Sequence, residues 1–235
     1  DTVDADDYNT LVTNIKGLNN FDVVIYQDAT NTIARAADGT LISSQAISSL
    51  ADQVVINAGI AYMPESPGTN VFVRSGVYTL SGKITGFEKY KISSSTQPRG
   101  CQFLGSGPST RFVMPAGVGE YALEIMGSDI SSSGLMGCIF GDFSIQFSGT
   151  SGGGIYIKNT FRCRFQNIVM LSTATDPTYY GTGIYNIKNS VGSGNLMNIF
   201  DHIDIWRFET GFHLTDATQA YIVGGSNIYK CTTPL

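Results

Sequence analysis

The run Cys138-Ile-Phe140-Gly-Asp142-Phe-Ser-Ile145 decides how this chain is read, because it returns. It recurs as Cys163-Arg-Phe165-Gln-Asn167-Ile-Val-Met170 and as Asn198-Ile-Phe200-Asp-His202-Ile-Asp-Ile205. Tyr221-Ile-Val223-Gly-Gly225-Ser-Asn-Ile228 continues the series more loosely, and Cys101-Gln-Phe103 begins it. A second unit keeps step with the first: Gly154-Ile155-Tyr156-Ile157, Gly183-Ile184-Tyr185-Asn186-Ile187 and Gly211-Phe212-His213-Leu214, spaced 29 and 28 residues apart. Ala122-Leu123-Glu124-Ile125 is an earlier copy without the glycine. Two short apolar motifs in fixed order, separated by loops of variable length, predict stacked coils that each give one strand to each of two or three parallel sheets. Side chains then alternate between the bore and the outside, and equivalent inward residues stand in columns about 4.8 Å apart. Cys101, Cys138 and Cys163 form one such column, either as stacked thiols or with a Cys138–Cys163 disulfide. Asp142, Asn167 and His202 share one repeat position and predict a polar ladder.

The rest of the chain agrees. Of 235 residues only 14% are charged and 27 are glycine, while Tyr and Phe together are plentiful. Disordered chains are charge-rich and aromatic-poor, so this one folds. The net charge of −5 and the lack of a basic run exclude a nucleic-acid footprint. No stretch is apolar for the roughly 18 residues that a membrane helix needs. Ahead of the repeats, Tyr8, Leu11, Val12 and Ile15 fall on one face of a short helix. Residues 21–42 read as a hairpin with Asp38-Gly39 as a turn pair. Residues 45–63 read as an amphipathic helix through Ile47, Leu50, Ala51, Val54, Val55, Ala58 and Ile60, ended by Pro64 and Pro67. The expected organisation is a helix and hairpin over 1–44, a capping helix and linker over 45–70, and the coils over 71–235. The sequence runs to Tyr229-Lys-Cys-Thr-Thr-Pro-Leu235 without a polar capping helix, which predicts either a fragment of a longer chain or an end covered by a partner or by another subunit.

Two segments carry a family resemblance. Val71-Phe-Val-Arg-Ser-Gly-Val-Tyr-Thr-Leu80 resembles the first-coil signature of the pectate-lyase-like superfamily, and Phe103-Leu-Gly105-Ser-Gly107-Pro-Ser-Thr110-Arg-Phe-Val113 resembles its next element, a Gly-x-Gly-x-x-Thr turn. The resemblance implies an all-β, right-handed, single-stranded parallel β-helix, with the helix at 45–63 hiding the unpaired edge of the first coil. Within that superfamily the pattern is most similar to phage and archaeal-virus tailspikes. That likeness implies an extracellular or virion-surface spike or fibre that recognises, and in some members cleaves, surface glycans, as a homo-oligomer: a trimer or a filament. A filament or surface-layer subunit without catalysis, and a polysaccharide hydrolase, are the alternatives.

Glycoside hydrolysis needs two carboxylates flanking the bond, and the candidates are Asp142, Asp201, Asp204 and Glu209. Asp201 and Asp204 lie three apart, so on a straight strand they point to opposite faces. Asp204 with Glu209, or Asp201 with Asp142, are the workable pairs. Tyr179, Tyr180, Trp206 and Arg207 are the expected sugar contacts, since glycans are held by aromatic faces and planar polar groups. The motifs of the polygalacturonase branch and the acidic calcium cluster of pectate lyases are absent from the sequence. The two histidines, His202 and His213, lack metal-ligand spacing. No metal or cofactor is expected.

Overall fold

The computed structural model describes residues 21–64, 68–90, 100–127, 134–173, 179–187, 196–215 and 219–231. The helix expected around residues 8–15 lies outside them. The strands are β1 (Val23–Gln27), β2 (Asn31–Ala36), β3 (Leu41–Ala46), β4 (Thr69–Val73), β5 (Gly76–Thr79), β6 (Cys101–Gly105), β7 (Thr110–Met114), β8 (Tyr121–Met126) and β9 (Leu135–Met136). They continue with β10 (Ile139–Phe147), β11 (Gly153–Lys158), β12 (Thr160–Phe161), β13 (Arg164–Ser172), β14 (Thr182–Ile187), β15 (Leu196–Trp206), β16 (Thr210–Leu214), β17 (Gln219–Val223) and β18 (Asn227–Tyr229). One α-helix, α1 (Gln53–Tyr62), is present among the described residues. The protein is all-β in class, and its sheets are mostly parallel.

Among the described residues, every strand pairing from β4 onward is parallel, the link of β4 to β1 included. The chain alternates between a large sheet, through β4-β6-β10-β13-β15, and a four-stranded sheet of β8, β11, β14 and β16. Consecutive visits to one sheet lie side by side with equivalent residues in register. Phe103 pairs with Phe140, Phe140 with Phe165, and Phe165 with Phe200. All four rings are buried. The Phe140 and Phe165 centroids are 5.4 Å apart and those of Phe165 and Phe200 5.0 Å, both pairs nearly coplanar at 14°. In the second sheet Leu123, Ile155, Ile184 and Phe212 make the matching buried column.

The expected cysteine column is present. Cys101, Cys138 and Cys163 are buried, and all four cysteines are free thiols. The Cys101 and Cys138 sulfurs are 3.3 Å apart. Burial pushes the Cys163 thiol up from its ordinary range. Above Cys163 the column passes to Asn198, a buried amide that its neighbours satisfy. Its Oδ1 accepts the Cys163 N–H at 3.1 Å, and its Nδ2 donates to Thr160 Oγ1 at 2.7 Å.

The Asp142, Asn167 and His202 position has a meaning that the repeat alone did not reveal. All three have left-handed backbone, with φ of 59°, 51° and 54°. They fall between paired residues: Gly141 pairs with Gln166 and Phe143 with Ile168, and the next turn repeats the skip. Each is a corner at which a long strand bends, so β10 pairs with β6 before the corner and with β7 after it. Asn and Asp tolerate this conformation better than most side chains. In the earlier turn the corner is the Gly-x-Gly-x-x-Thr segment. Gly107 has φ of 98°, and Thr110 Oγ1 accepts the Ser106 N–H at 2.8 Å while donating to the Val73 carbonyl at 3.1 Å.

The N-terminal part departs from expectation. Residues 21–46 form two antiparallel hairpins, β1–β2 and β2–β3, not one. Asp28 accepts the N–H groups of Thr30 and Asn31, and Asp38 that of Thr40, so two Asx turns each reverse the chain. The helix spans 53–62 rather than 45–63, because Gln45 and Ala46 complete β3 and Leu50 turns left-handed at φ 54°. The shorter helix buries Val55, Ile56, Gly59 and Ile60 and leaves Leu50 and Val54 outside, at 54% and 51% exposure. The edge of β4 is covered by β1, paired in parallel, and not by the helix. The helix instead satisfies the backbone of residues 79–85. Asp52 accepts the Thr79 N–H at 2.7 Å, Gln53 that of Ser81 at 3.0 Å, and Asn57 that of Thr85 at 3.0 Å.

Candidate functional site

The corners place a polar ridge on the outside of the large sheet. Phe200 and Ile203 are both buried although they are three apart. That parity is allowed only because His202 bends the strand between them. The same bend puts Asp201 and Asp204 on one side, against the alternation expected for a straight strand. Both carboxylates are engaged. Asp201 accepts from the Arg164 guanidinium of the preceding turn and lies 2.6 Å from His202 Nδ1. The Arg164 hydrogen bond, helped by His202, holds its carboxyl below the usual aspartate range. Asp204 accepts from Asn227 Nδ2 of the following turn at 2.8 Å. Asp142 accepts from Asn167 Nδ2 at 2.8 Å, which realises the polar ladder between two turns.

Asp142 and Asp201 sit two turns apart, or about 10 Å by strand spacing, with Gln166 and Asn167 in the turn between. Glu209 is exposed in the bend between β15 and β16, past Arg207 and Phe208. Trp206, 37% exposed, packs on Tyr229 of the next turn with centroids 4.8 Å apart. Arg207 is exposed, and its left-handed backbone at φ 63° ends β15. Tyr179 and Tyr180 are half-buried where the chain enters β14. Among the described residues no three His, Cys, Asp or Glu side chains gather into a metal-binding group.

Two partners on this ridge went unread in the sequence. Arg164 and Asn227 are ordinary surface residues until the stacking sets them beside Asp201 and Asp204. A second feature, on the smaller sheet, was half legible. The aromatic of the Gly-apolar-aromatic unit alternates with buried isoleucines, so Tyr156 and Tyr185 must lie outside. Their rings are 5.6 Å apart, and Tyr121 joins them at 5.5 Å and 6.2 Å.

The fold has a solved counterpart. The chain is similar to ORF18 of Geobacillus virus E2, with a TM-score of 0.50 and 18% identity over 77% of this chain. The likeness is one of fold, and the matched region spans 38% of that longer viral protein. No protein-family model matches the chain, and no curated protein matches it. Among the described residues no helix is long and apolar enough to cross a membrane.

Proposed function

We propose that this protein is a virion-surface spike or fibre protein, built as a right-handed parallel β-helix of the pectate-lyase-like kind, that recognises surface glycans. The observation that carries the proposal is the superposition of equivalent residues in successive parallel turns, Phe103 on Phe140 on Phe165 on Phe200. Parallel crossovers within a sheet are right-handed in about 98% of cases, which supports the hand. The fold-level likeness to a protein of a Geobacillus virus supports the virion setting. Parallel sheets with polar outer ridges suit an extended, polar ligand such as a polysaccharide.

Cleavage is the finer part of the proposal. A hydrolase would use Asp201 with Asp142, or Asp204 with Glu209, as its two carboxylates. The ion pair to Arg164 suits Asp201 to remaining ionised, the role of a nucleophile or base rather than of an acid. Asp201→Asn abolishing sugar release from a bound polysaccharide, with binding retained, supports catalysis. Unchanged release removes Asp201 from it.

A filament subunit is the second reading, in which a neighbouring subunit would cover the outermost described strand. Ile222 continues the column of Phe200 yet is 40% exposed, with Tyr221 and Val223 beside it at 52% and 42%. Size-exclusion chromatography with light scattering separates the readings: a discrete trimer supports the spike, open-ended polymers the filament, and a monomer a free hydrolase. Glycan-array binding with Tyr179→Ala and Tyr180→Ala tests the expected aromatic contacts, and undiminished binding removes them.

A further inference from the structure

The outer face of the β8-β11-β14-β16 sheet carries a row of rings that the ridge described above does not use. Tyr156, Tyr185 and His213 pair with one another across three strands, and Glu124 heads the same row on β8. Their sequence neighbours Leu123, Ile155, Ile184 and Phe212 point inward, so the row stands outside. Tyr185 and His213 are 4.7 Å apart. Tyr121 belongs to an adjacent column, whose next member is Gly153. No side chain fits there, because a Cβ on Gly153 would lie 1.8 Å from the Thr182 carbonyl oxygen. The Tyr121 ring still reaches the row, with centroids 5.5 Å from Tyr156 and 6.2 Å from Tyr185. At its head the Glu124 carboxylate accepts from Lys83 Nζ at 2.7 Å and from Thr85 Oγ1 at 3.4 Å.

We propose that this row is a binding platform for a chain of neutral pyranose sugars lying along the stacking axis. The inference rests on the glycan-recognition reading and gives it a place apart from the carboxylate ridge. The Tyr156–Tyr185 and Tyr185–His213 centroids are 5.6 Å and 4.7 Å apart, a step set by the strand spacing and comparable with the length of one sugar unit. The three tyrosines are half-buried, so part of each side chain stays open to solvent. Tyrosine offers an apolar face to sugar C–H groups and a hydroxyl to sugar hydroxyls. The Lys83–Glu124 pair supplies further donors and acceptors while adding no net charge, which suits a neutral ligand over an acidic one.

A printed array of hexose and N-acetylhexosamine oligosaccharides, probed with the intact chain, tests this. Tyr156→Ala and Tyr185→Ala are expected to weaken binding to the positive spots about tenfold, while Tyr156→Phe and Tyr185→Phe keep it, since the stacking face survives. Circular dichroism and melting temperature show that the variants remain folded, and both Phe variants keep the test informative if an Ala variant does not. Wild-type binding that the Ala variants leave intact overturns this inference alone and leaves glycan recognition standing elsewhere. A wild-type protein that binds no spot overturns the inference together with the reading beneath it. Loss of binding accompanied by a change of oligomeric state in light scattering also overturns it, and makes the row a contact between subunits.

Discussion

His202 illustrates how much one backbone angle controls. Its left-handed conformation lets Phe200 and Ile203 both face inward and turns Asp201 and Asp204 to the same side. A β-branched residue resists that conformation, and the penalty for a non-glycine residue is roughly 1–2 kcal/mol. His202→Val is therefore expected to destabilise the fold by at least about 1 kcal/mol, whereas His202→Gly is near neutral. Urea unfolding of the two variants checks the contrast, and equal stability would show that the corner is not strained. The neighbouring Asp201 carries a pH signature. Its carboxyl is held below the ordinary range by Arg164 and His202. A group whose folded pKa is depressed adds stability above its unfolded pKa and loses that contribution as pH falls through the folded value. The melting-temperature gap between wild type and Asp201→Asn is expected to be largest near neutrality and to close in acid. Asp52 has the opposite sign, because burial raises its carboxyl despite the bonds from Thr32 and Thr79. Its contribution is largest in acid and falls as pH rises through the raised value.

Strands in this protein act as members of columns. Phe165 lies between Phe140 and Phe200, fully buried and stacked on both. Phe165→Ala is expected to cost about 3–5 kcal/mol, the usual range for emptying an aromatic core site. Phe165→Leu is expected to cost less, since it keeps most of the volume. Denaturant unfolding measures both, and a loss under about 1 kcal/mol for the alanine would contradict the column. The glycines of the second unit follow the same logic. A Cβ on Gly154 would meet the Gly183 carbonyl at 2.5 Å and Met170 Sδ at 2.6 Å, so the repeat keeps Gly where two sheets and two turns converge. Helix α1 shows the limit of periodicity. Its apolar spacing was continuous with that of the strand before it, and only the pairing of β3 with β2 separated the two.

At the scale of the molecule, the buried apolar residues of the described part form one continuous core from Val23 and Ile56 to Phe212. Cys101, Cys138 and Cys163 lie inside it, whereas Cys231 is only partly covered. A thiol reagent such as Ellman's is expected to label Cys231 in the native protein and to reach the other three only as the protein unfolds. Rapid labelling of Cys138 by mass mapping would mean that the core opens. Stacking of like units also predicts that stability grows with nearest-neighbour contacts rather than with any one turn.

The repeats carried the architecture in linear form. Alternating apolar positions, recurring Gly and aligned Phe and Cys state which residues face inward and which turns lie next to each other, because those depend on local periodicity and on matching side chains. The outer surface was not written that way. Which carboxylate meets Arg164, which amide of the next turn reaches Asp204, and why Tyr121 shares a row with Tyr156 and Tyr185 depend on loop lengths and corner angles. Those set the offset between turns, and a polar side chain finds its partner only after that offset exists.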